Sequence, residues 1–358
     1  MNSLFWQDKS VFITGHTGFK GGWLSLWLDL MGASVHGYSL HPLSDPALFD
    51  VANIDAAVAS DVRADLADFK ELQSALKLAN PEVIFHLAAQ SLVRDSYIKP
   101  LDTFSTNVMG TANLLEASRE VNSIRAIVIV TTDKVYQNSG GEIMFKEQDP
   151  LGGTDPYAAS KAAAEIVTAS YRSSFFNTEG GHPAKIATAR AGNVIGGGDW
   201  ATDRLIPDCM RAFSAAEPIM LRYPDSIRPW QHVLEPLSGY LKLAQGLLSE
   251  NGVSFAKAWN FGPPSSDCST VQNVAESAAR IWGPGASVAV EKFGNNPYEP
   301  GSLRLESAQA KKELNWKPLW NLSQALEHTV KWHREWLKGA MMKSVCQEQI
   351  AAYTAINE

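Results

Sequence analysis

The first half of the chain alternates between two patterns of apolar and polar positions. Short unbroken runs of apolar and β-branched residues predict buried strands at 10–14, 34–38, 81–87, 125–132 and 184–189. Between them, helical patterns predict helices at 22–31, 68–79, 103–121 and 157–175. Unbroken apolar strands separated by helices are typical of a parallel sheet that helices cover on both faces. The pattern therefore predicts a doubly wound α/β fold.

The regular alternation ends near residue 190. A glycine-rich stretch at 192–199 predicts a loop, and helices are predicted at 206–215, 234–248, 271–281 and 322–337. Short extended stretches at 258–261 and 287–290 lie between them. Because no flexible linker separates the two halves, we expect the second half to form a smaller, discontinuous α/β lobe packed against the first.

Composition narrows the class of protein. The 358 residues include 31 Lys and Arg against 38 Asp and Glu, a formal charge of −7, which offers no basic surface to a nucleic acid. Cys209, Cys268 and Cys346 are far apart and odd in number, which favours a reducing compartment. Neither a secretory signal nor an apolar run of roughly 18 residues occurs. We therefore expect a cytoplasmic protein without nucleic-acid or membrane partners.

A glycine motif follows the first predicted strand. Gly15, Gly18 and Gly21 form a G-x-x-G-x-x-G turn that opens a helix, an arrangement that lets a pyrophosphate approach the backbone and the helix N-terminus. Alone, such a triplet is about as often an ordinary turn, but this one lies at the first strand–helix junction of an alternating chain. The motif therefore predicts a Rossmann-type dinucleotide site.

The choice of dinucleotide is less clearly encoded. The acidic residue expected near the end of the second strand, which would hold the adenosine ribose, is absent from 38–41. No basic residue that could read a 2′-phosphate occurs between Lys20 and Arg63, so NAD is favoured over NADP. Asp61 and Val62 are expected at the adenine end, with a solvated loop as the alternative.

A second signal is the pair Tyr157 and Lys161, four residues apart on one face of a predicted helix. An ammonium beside a phenol lowers the pKa of the phenol from about 10, which makes it a usable base. Such pairs are common on ordinary helices, but Thr132 and Asp133 end a predicted buried strand, where α/β sheets bind their ligands. Together they predict a catalytic site.

These motifs resemble the extended short-chain dehydrogenase/reductase superfamily over residues 8–340, and within it the nucleotide-sugar 4,6-dehydratases. The broad resemblance also includes HLAAQ at 86–90 and NVMGT at 107–111. The segments that point to CDP-glucose as the substrate are GHTGFKGGWL, TTDKVY, GNVIGGGDWATDRLIPD and RPWQHVLEPLSGYL. Relatives acting on dTDP-glucose or GDP-mannose usually have Glu at the position of Lys134, which makes Lys134 the sharpest discriminator.

The resemblance implies a role for each catalytic candidate. Tyr157, assisted by Lys161, would remove the sugar O4 proton while Thr132 bonds near O4, and bound NAD would shuttle a hydride from C4 to C6. Asp133 would protonate the departing C6 hydroxyl. Lys134 would be the C5 base or, alternatively, an electrostatic aid. The residues implied for NAD binding are Gly15, Thr17, Gly18, Phe19, Lys20, Gly21, Asp61, Val62, Leu87, Ala88, Ala89, Gln90, Asn107, Thr131, Tyr157 and Lys161.

The resemblance also implies a substrate site and an assembly. The substrate candidates are Arg94, Asn193, Trp200, Arg204, Leu205, Arg228, Trp230, Gln231 and Tyr298. We expect an NAD-binding domain (1–192 and 229–262), a substrate lobe (193–228 and 263–340) and a tail (341–358), which could be a loosely attached helix. The helices at 103–121 and 157–175 would form a homodimer interface, with burial in a monomer or a homotetramer as alternatives. No metal site is predicted.

Two other functions stay open at this point. A 4-epimerase, or a 4,6-dehydratase for another nucleotide such as dTDP or GDP, would use the same Tyr157 and Lys161. An epimerase does not need Asp133 and Lys134, so this pair favours a dehydratase of deoxysugar biosynthesis of the O-antigen type. A non-enzymatic scaffold or redox sensor on the same fold would be expected to lack the Tyr or the Lys, and both are present.

Overall fold

The computed structural model describes residues 3–138, 140–141, 143–176, 180–290 and 303–356. The strands are β1 (Ser10–Thr14), β2 (Ser34–Ser39), β3 (Ser60–Arg63), β4 (Val83–His86), β5 (Ala126–Val130), β6 (Met144–Phe145), β7 (Lys185–Ala191), β8 (Asn193–Ile195), β9 (Pro218–Leu221), β10 (Ile227–His232), β11 (Ala258–Phe261), β12 (Cys268–Thr270), β13 (Ser287–Val290) and β14 (Arg304–Leu305). The α-helices are α1 (Ser3–Trp6), α2 (Phe19–Leu30), α3 (Leu48–Val51), α4 (Phe69–Ala79), α5 (Val93–Ile98), α6 (Pro100–Phe104), α7 (Gly110–Ser118), α8 (Pro156–Ser174), α9 (Leu205–Ser214), α10 (Leu234–Leu248), α11 (Gly252–Phe255), α12 (Val271–Trp282), α13 (Ala308–Glu313), α14 (Leu322–Leu337) and α15 (Met342–Ala355).

A seven-stranded parallel sheet is the centre of the fold, with strand order β3-β2-β1-β4-β5-β7-β11. Alternate residues of β1 point to opposite faces: Phe12 packs with helices α4, α7 and α8, whereas Val11 and Ile13 pack with α2, α10 and α15. Burial on both faces explains why the strands are apolar runs. The predicted doubly wound fold is confirmed.

The second half of the chain builds a smaller unit beside this sheet. β10 pairs in parallel with β8 and antiparallel with β12, and β9 pairs with β13. Apolar residues of α9, α12 and α14 form its core. The stretch at 192–199, predicted to be a loop, contains β8, because its backbone bonds to β10. The domain boundaries given above stay a prediction.

The predicted helix at 103–121 is interrupted. A π-helical segment, Ser105–Met109, separates α6 from α7. The side chain of Asn107 in this segment bonds to Gln90 and Ser160, which are tertiary contacts that the helical pattern does not encode. Single π turns often accompany such functional side chains.

The C-terminal helix α15 is firmly packed, contrary to the expected loose tail. Cys346, Ile350 and Tyr353 are buried, and the Tyr353 hydroxyl donates to a Glu235 carboxylate oxygen at 2.6 Å. The ring of Tyr353 meets Trp27 of α2 edge-on at 5.7 Å. The apolar positions of α15 therefore complete the core rather than face solvent. Among the described residues, no helix is long and apolar enough to span a membrane.

Candidate active site

The glycine turn closes tightly against the segment that follows β4. Gly15 has a positive φ of +80°, and a Cβ there would lie 2.6 Å from the Ala88 backbone nitrogen. A Cβ on Gly21 would lie 2.1 Å from the Gly15 carbonyl oxygen. Only glycine fits either position, and Gly18 as the N-cap of α2 adds no side chain. The first N–H groups of α2 therefore remain for an anion.

The second and third strands supply polar groups beside this turn. The Thr17 and Ser39 hydroxyl oxygens are 2.8 Å apart. Asp61 lies opposite Gly37 in the β2–β3 pairing, and its carboxylate bonds to His16 Nε2 and Arg63 Nη2, both at 2.8 Å. Burial lowers the pKa of His16, which favours a neutral imidazole. Asp61 thus lies beside the glycine turn, and its place at the adenine end of a dinucleotide stays a prediction.

Asn107 fixes the segment that follows β4 to the helix of Tyr157. Its side chain accepts from the Gln90 N–H at 2.9 Å and donates to the Gln90 carbonyl at 3.0 Å and to the Ser160 hydroxyl at 2.8 Å. Ser160 lies between Tyr157 and Lys161 on α8. The predicted cofactor residues after β4 are thereby held beside the predicted base.

Tyr157 lies in the first turn of α8 and is 9% exposed. Burial raises the pKa of its phenol to about 12, while a hydrogen bond with Thr132 and the charge of Arg204 act in the opposite direction. The sequence predicted a lowered pKa caused by Lys161, and that direction was wrong. The Lys161 amine instead donates to the Val130 carbonyl at 2.8 Å, and burial lowers its pKa to about 8.

Asp133 is a buried carboxyl group with one free oxygen. Its Oδ1 accepts from the Thr132 hydroxyl at 3.0 Å, whereas Oδ2 has no hydrogen-bond partner among the described residues. Burial raises the pKa of Asp133, and the nearby charges of Lys134 and Arg228 oppose that shift. A raised pKa favours the protonated form, which can donate to a ligand.

Cationic side chains surround this carboxyl group. Arg204 donates to Asp199 at 3.1 Å and to the Ser91 hydroxyl at 3.0 Å. Lys20, in the first turn of α2, lies close enough to Arg204 and Asp133 for their charges to act on it, and burial lowers its pKa to about 8. A cation at a helix N-terminus is unfavourable unless an anion binds beside it. The arrangement therefore suits a negatively charged ligand.

A cleft opens beside these groups. It is lined by Lys134, Tyr136, Asp155 and Arg228, among others. Lys134 and Arg228 therefore lie where a ligand could reach them, whereas Asp133 does not line the cleft and its free oxygen is buried.

The remaining predicted residues lie in several places. Thr131 donates to Glu165, so its side chain is already engaged, and Arg94 pairs with Asp203 at 3.3 Å. Trp200 meets Trp336 edge-on at 5.1 Å.

The substrate roles of these and the other candidates stay predictions. Phe19 and Leu205 begin α2 and α9, Val62 lies in β3, Leu87 and Ala89 follow β4, Asn193 begins β8, and Tyr298 lies outside the described residues.

Trp230 and Gln231 of β10 are buried rather than exposed to the cleft. The Trp230 indole donates to the Ser269 carbonyl at 3.1 Å, and its ring belongs to the core of the smaller unit. The Gln231 amide donates to the Phe261 carbonyl at 2.9 Å. From the sequence alone, a polar residue beside a candidate site could either contact a ligand or form a hydrogen bond within the core. Only the structure shows that Trp230 and Gln231 form bonds within the core.

The sequence analysis missed a buried ion pair behind the site, Glu165 and Arg190. Glu165 lies four residues after Lys161, a spacing that could have pointed to it. Arg190 lies on β7, and no local pattern connects it with Glu165. Among the described residues, no three His, Cys, Asp or Glu side chains are grouped as a metal site would need.

A family model and individual known proteins both relate this chain to nucleotide-sugar 4,6-dehydratases. The family model described as GDP-mannose 4,6 dehydratase matches residues 12–329. The CDP-glucose 4,6-dehydratase of Salmonella typhimurium is 46% identical over 351 residues, which cover 98% of this chain and 97% of that protein. A dTDP-glucose 4,6-dehydratase of Xanthomonas campestris is 25% identical, over 95% of this chain and 98% of that protein.

Solved structures share the fold. A dTDP-glucose 4,6-dehydratase of Bacillus anthracis in complex with NAD has a TM-score of 0.75 at 22% identity, covering 93% of this chain and 99% of that one. A UDP-glucose 4-epimerase of Thermotoga maritima with UDP-glucose has a TM-score of 0.79 at 20% identity, covering 91% and 99%. The family model and the 46% identical relative confirm the resemblance to 4,6-dehydratases, and the chain belongs to the GDP-mannose 4,6 dehydratase family.

Proposed function

We propose that this protein converts CDP-glucose to CDP-4-dehydro-6-deoxyglucose with bound NAD, in the cytoplasm, as a step of deoxysugar biosynthesis. The choice of CDP rests on the 46% identity to a CDP-glucose 4,6-dehydratase along almost the whole chain. It also rests on Lys134, where relatives that act on dTDP-glucose or GDP-mannose usually have Glu.

The residues of the glycine turn fit a dinucleotide. The cradle formed by Gly15, Gly21 and the α2 N-terminus would hold the pyrophosphate, and Thr17, Ser39 and Asp61 would hold the adenosine half. The chemistry that NAD supplies when bound is removal of a hydride from the sugar C4 and its return to C6.

Proton transfer at O4 falls to Tyr157. Thr132 acts on the pKa of its phenol, so the two side chains lie close together, and we propose that the sugar hydroxyl binds beside them. The raised pKa of Tyr157 means that the phenolate needs a neighbouring positive charge. Arg204 already acts in this direction, and we assign the remaining charge to Lys161, which is buried one helical turn away on α8.

The observation that carries a dehydratase, rather than an epimerase, is the free oxygen of Asp133. A buried carboxyl group with a raised pKa and one unbonded oxygen is a general acid for the departing C6 hydroxyl. Epimerisation at C4 has no use for such an acid. Lys134, which lines the cleft next to Asp133, is our candidate for the C5 base or for stabilising the enolate.

The substrate diphosphate needs cationic partners, and we assign it to Arg204 and Arg228, near Asn193. Arg204 already bonds to Asp199, so an incoming phosphate would join or replace that pair. These cations also explain how a chain of net charge −7 can bind anions.

The proposal is tested by incubating the protein and NAD with CDP-, dTDP-, UDP- and GDP-glucose and with GDP-mannose, followed by NMR of the products. We expect a 4-keto-6-deoxy product that forms from CDP-glucose at least 10-fold faster than from the others, which corresponds to about 1.4 kcal/mol of discrimination in the transition state. A faster reaction with another nucleotide would overturn the CDP assignment. A 4-epimer as product would overturn the dehydratase.

We also propose a homodimer through α6, the π-helical segment, α7 and α8. Large apolar side chains on these elements are exposed in the single chain: Leu101 is 81%, Met109 56% and Ile166 60% exposed. Large exposed apolar side chains on neighbouring elements are typical of a protein interface.

A further inference from the structure

The ion pair between Glu165 of α8 and Arg190 of β7 is the most completely bonded charged pair in the described part of the chain. Arg190 Nε and Nη2 each donate to a carboxylate oxygen of Glu165 at 2.9 Å. The Thr131 and Thr188 hydroxyls donate to the same carboxylate at 2.6 Å. Both charged side chains are 4% exposed or less. A two-pronged geometry of this kind fixes orientation as well as charge.

The pair reaches both ends of the turn that carries the candidate acid. Thr131, bonded to Glu165, directly precedes Thr132 and Asp133. Tyr136, just after the turn, accepts from Arg190 Nη1 at 2.8 Å and donates to the Asn260 side chain at 2.7 Å. The two ends of the turn are therefore tied to one buried ion pair.

The same pair also reaches the helix of the candidate base. Glu165 is four residues after Lys161 and eight after Tyr157, which places all three on one face of α8. Arg190 lies on β7, between β5 and β11 of the main sheet. One ion pair thus joins the helix of Tyr157 and Lys161, the turn of Thr132 and Asp133, and the sheet.

We infer that Glu165 and Arg190 are positioning residues, which hold the Thr132–Asp133 turn in register with Tyr157 and Lys161 for proton transfer. The inference rests on the function proposed above. It predicts that the pair can be removed with the fold retained while turnover falls.

Several titratable groups lie close enough to the ion pair for its removal to change their pKa values. The charge of Glu165 also acts on Lys161, where it opposes the effect of burial and favours the ammonium form. Arg172 on the same helix is influenced by both Glu165 and Arg190. The other groups facing this region are Glu147 and Tyr136 beside Arg190, and Lys20 and His86 near Lys161.

The main test is the double variant Glu165→Leu/Arg190→Met. Replacing both members of a buried ion pair by apolar residues often leaves stability unchanged. We expect a folded protein by circular dichroism, with kcat about 100-fold lower and KM within about threefold, because the reacting groups are displaced by a fraction of an ångström to 1 Å. A folded double variant with wild-type kcat would overturn the inference.

Tyr136→Phe is a milder variant in case the double variant does not fold. It removes only the hydroxyl that Arg190 and Asn260 share and keeps the stacking of the ring on Phe145 at 4.8 Å. We expect kcat to fall about 10-fold at constant KM. An unchanged kcat would show that the bond between Arg190 and Tyr136 does not position the Thr132–Asp133 turn. That result would overturn the part of the inference that concerns Arg190.

A third measurement needs no turnover. In Glu165→Gln, loss of the carboxylate should lower the pKa of Lys161 further below about 8. Trace labelling of lysine amines with acetic anhydride across pH, followed by mass spectrometry, reads this directly. Glu235→Gln, which alters another buried carboxyl group outside the site, is the matched control and should leave Lys161 unchanged. Identical Lys161 titration in Glu165→Gln and wild type would contradict the inference.

Different results would refute the proposed function and the positioning role of the ion pair. A wild-type protein that leaves CDP-glucose unchanged refutes the proposed function, while the lysine titration still decides whether Glu165 acts on Lys161. Normal wild-type turnover with an equally active, folded double variant refutes only the positioning role.

Discussion

At the end of β5, burial gives two adjacent side chains different chemistry. Asp133 is 2% exposed, and the direction of its pKa shift is upward, whereas its neighbour Lys134 reaches the cleft. A carboxyl group that stays protonated at higher pH than usual can act as an acid beside a potential base. Two neighbouring residues thus differ in their surroundings: Asp133 is buried, and Lys134 lines the cleft.

Replacing Asp133 by Asn should stop elimination while sparing the earlier step. The amide cannot protonate the C6 hydroxyl, so we expect dehydration to fall by about 10²–10⁴-fold. Hydride transfer from C4 to the cofactor, read as NADH absorbance, should outlast dehydration. Parallel loss of both in the variant would remove Asp133 from the elimination.

Replacing Tyr157 by Phe should lower turnover by about 10²–10⁴-fold, because the variant lacks the hydroxyl that we assign to proton transfer at O4. The change removes one buried hydroxyl, so the free energy of unfolding should fall by only about 1 kcal/mol. Steady-state kinetics and a urea titration measure the two effects, and NAD affinity from calorimetry serves as the control. Retained turnover would refute Tyr157 as the base.

For single residues, the sequence predicts which candidates lie near one another better than it predicts their pKa values. The glycine turn, Thr132, Asp133, Tyr157 and Lys161 were all recognisable, because their spacing and their position at strand ends are local features. The pKa direction of Tyr157 was not, because it depends on burial by residues distant in sequence. Arg190 was missed for the same reason.

Among the elements, helix α15 is joined to α10 through Glu235. This carboxylate accepts from the Trp320 N–H at 2.8 Å and from the Tyr353 hydroxyl at 2.6 Å, and burial raises its pKa to about 7. The tail is therefore held by a protonatable group as well as by apolar packing.

The raised pKa of Glu235 predicts how stability depends on pH. The unfolded chain releases this proton near its ordinary pKa of 4.5, while the folded chain keeps it up to about 7. The free energy of unfolding should therefore fall as pH rises through this window, by about 3 kcal/mol in total. Glu235→Gln should lose that slope in urea titrations at pH 5, 6, 7 and 8. A variant with the wild-type slope would contradict the assignment.

Element boundaries illustrate why part of the fold escaped sequence analysis. β3 (Ser60–Arg63) is short and polar, so neither an apolar run nor alternation predicts it, and pairing with β2 alone makes it a strand. The π-helical segment follows from the bonds of Asn107. By contrast, α10, α14, β11 and β13 match the predicted ranges, since their apolar pattern and end residues are locally decisive.

For the whole molecule, the apolar patch on α6–α8 bears on assembly. We expect light scattering to give about twice the 39.0 kDa mass of the chain. Ile166→Asp, on α8, should shift the protein toward monomer, because the proposed interface would then bury a carboxylate of each subunit. Leu78→Asp, on the exposed face of α4, is the matched control and should remain dimeric. A monomeric wild type would refute the dimer.

The most direct test of the proposed dehydration follows the hydrogen at C4 of the sugar. Incubation with CDP-glucose carrying deuterium at C4, followed by NMR and mass spectrometry, should give a 4-keto-6-deoxy product with deuterium in the C6 methyl group, as expected when a hydride leaves C4 and returns to C6. A product that keeps deuterium at C4, or turnover that yields the 4-epimer, would contradict the proposed dehydration.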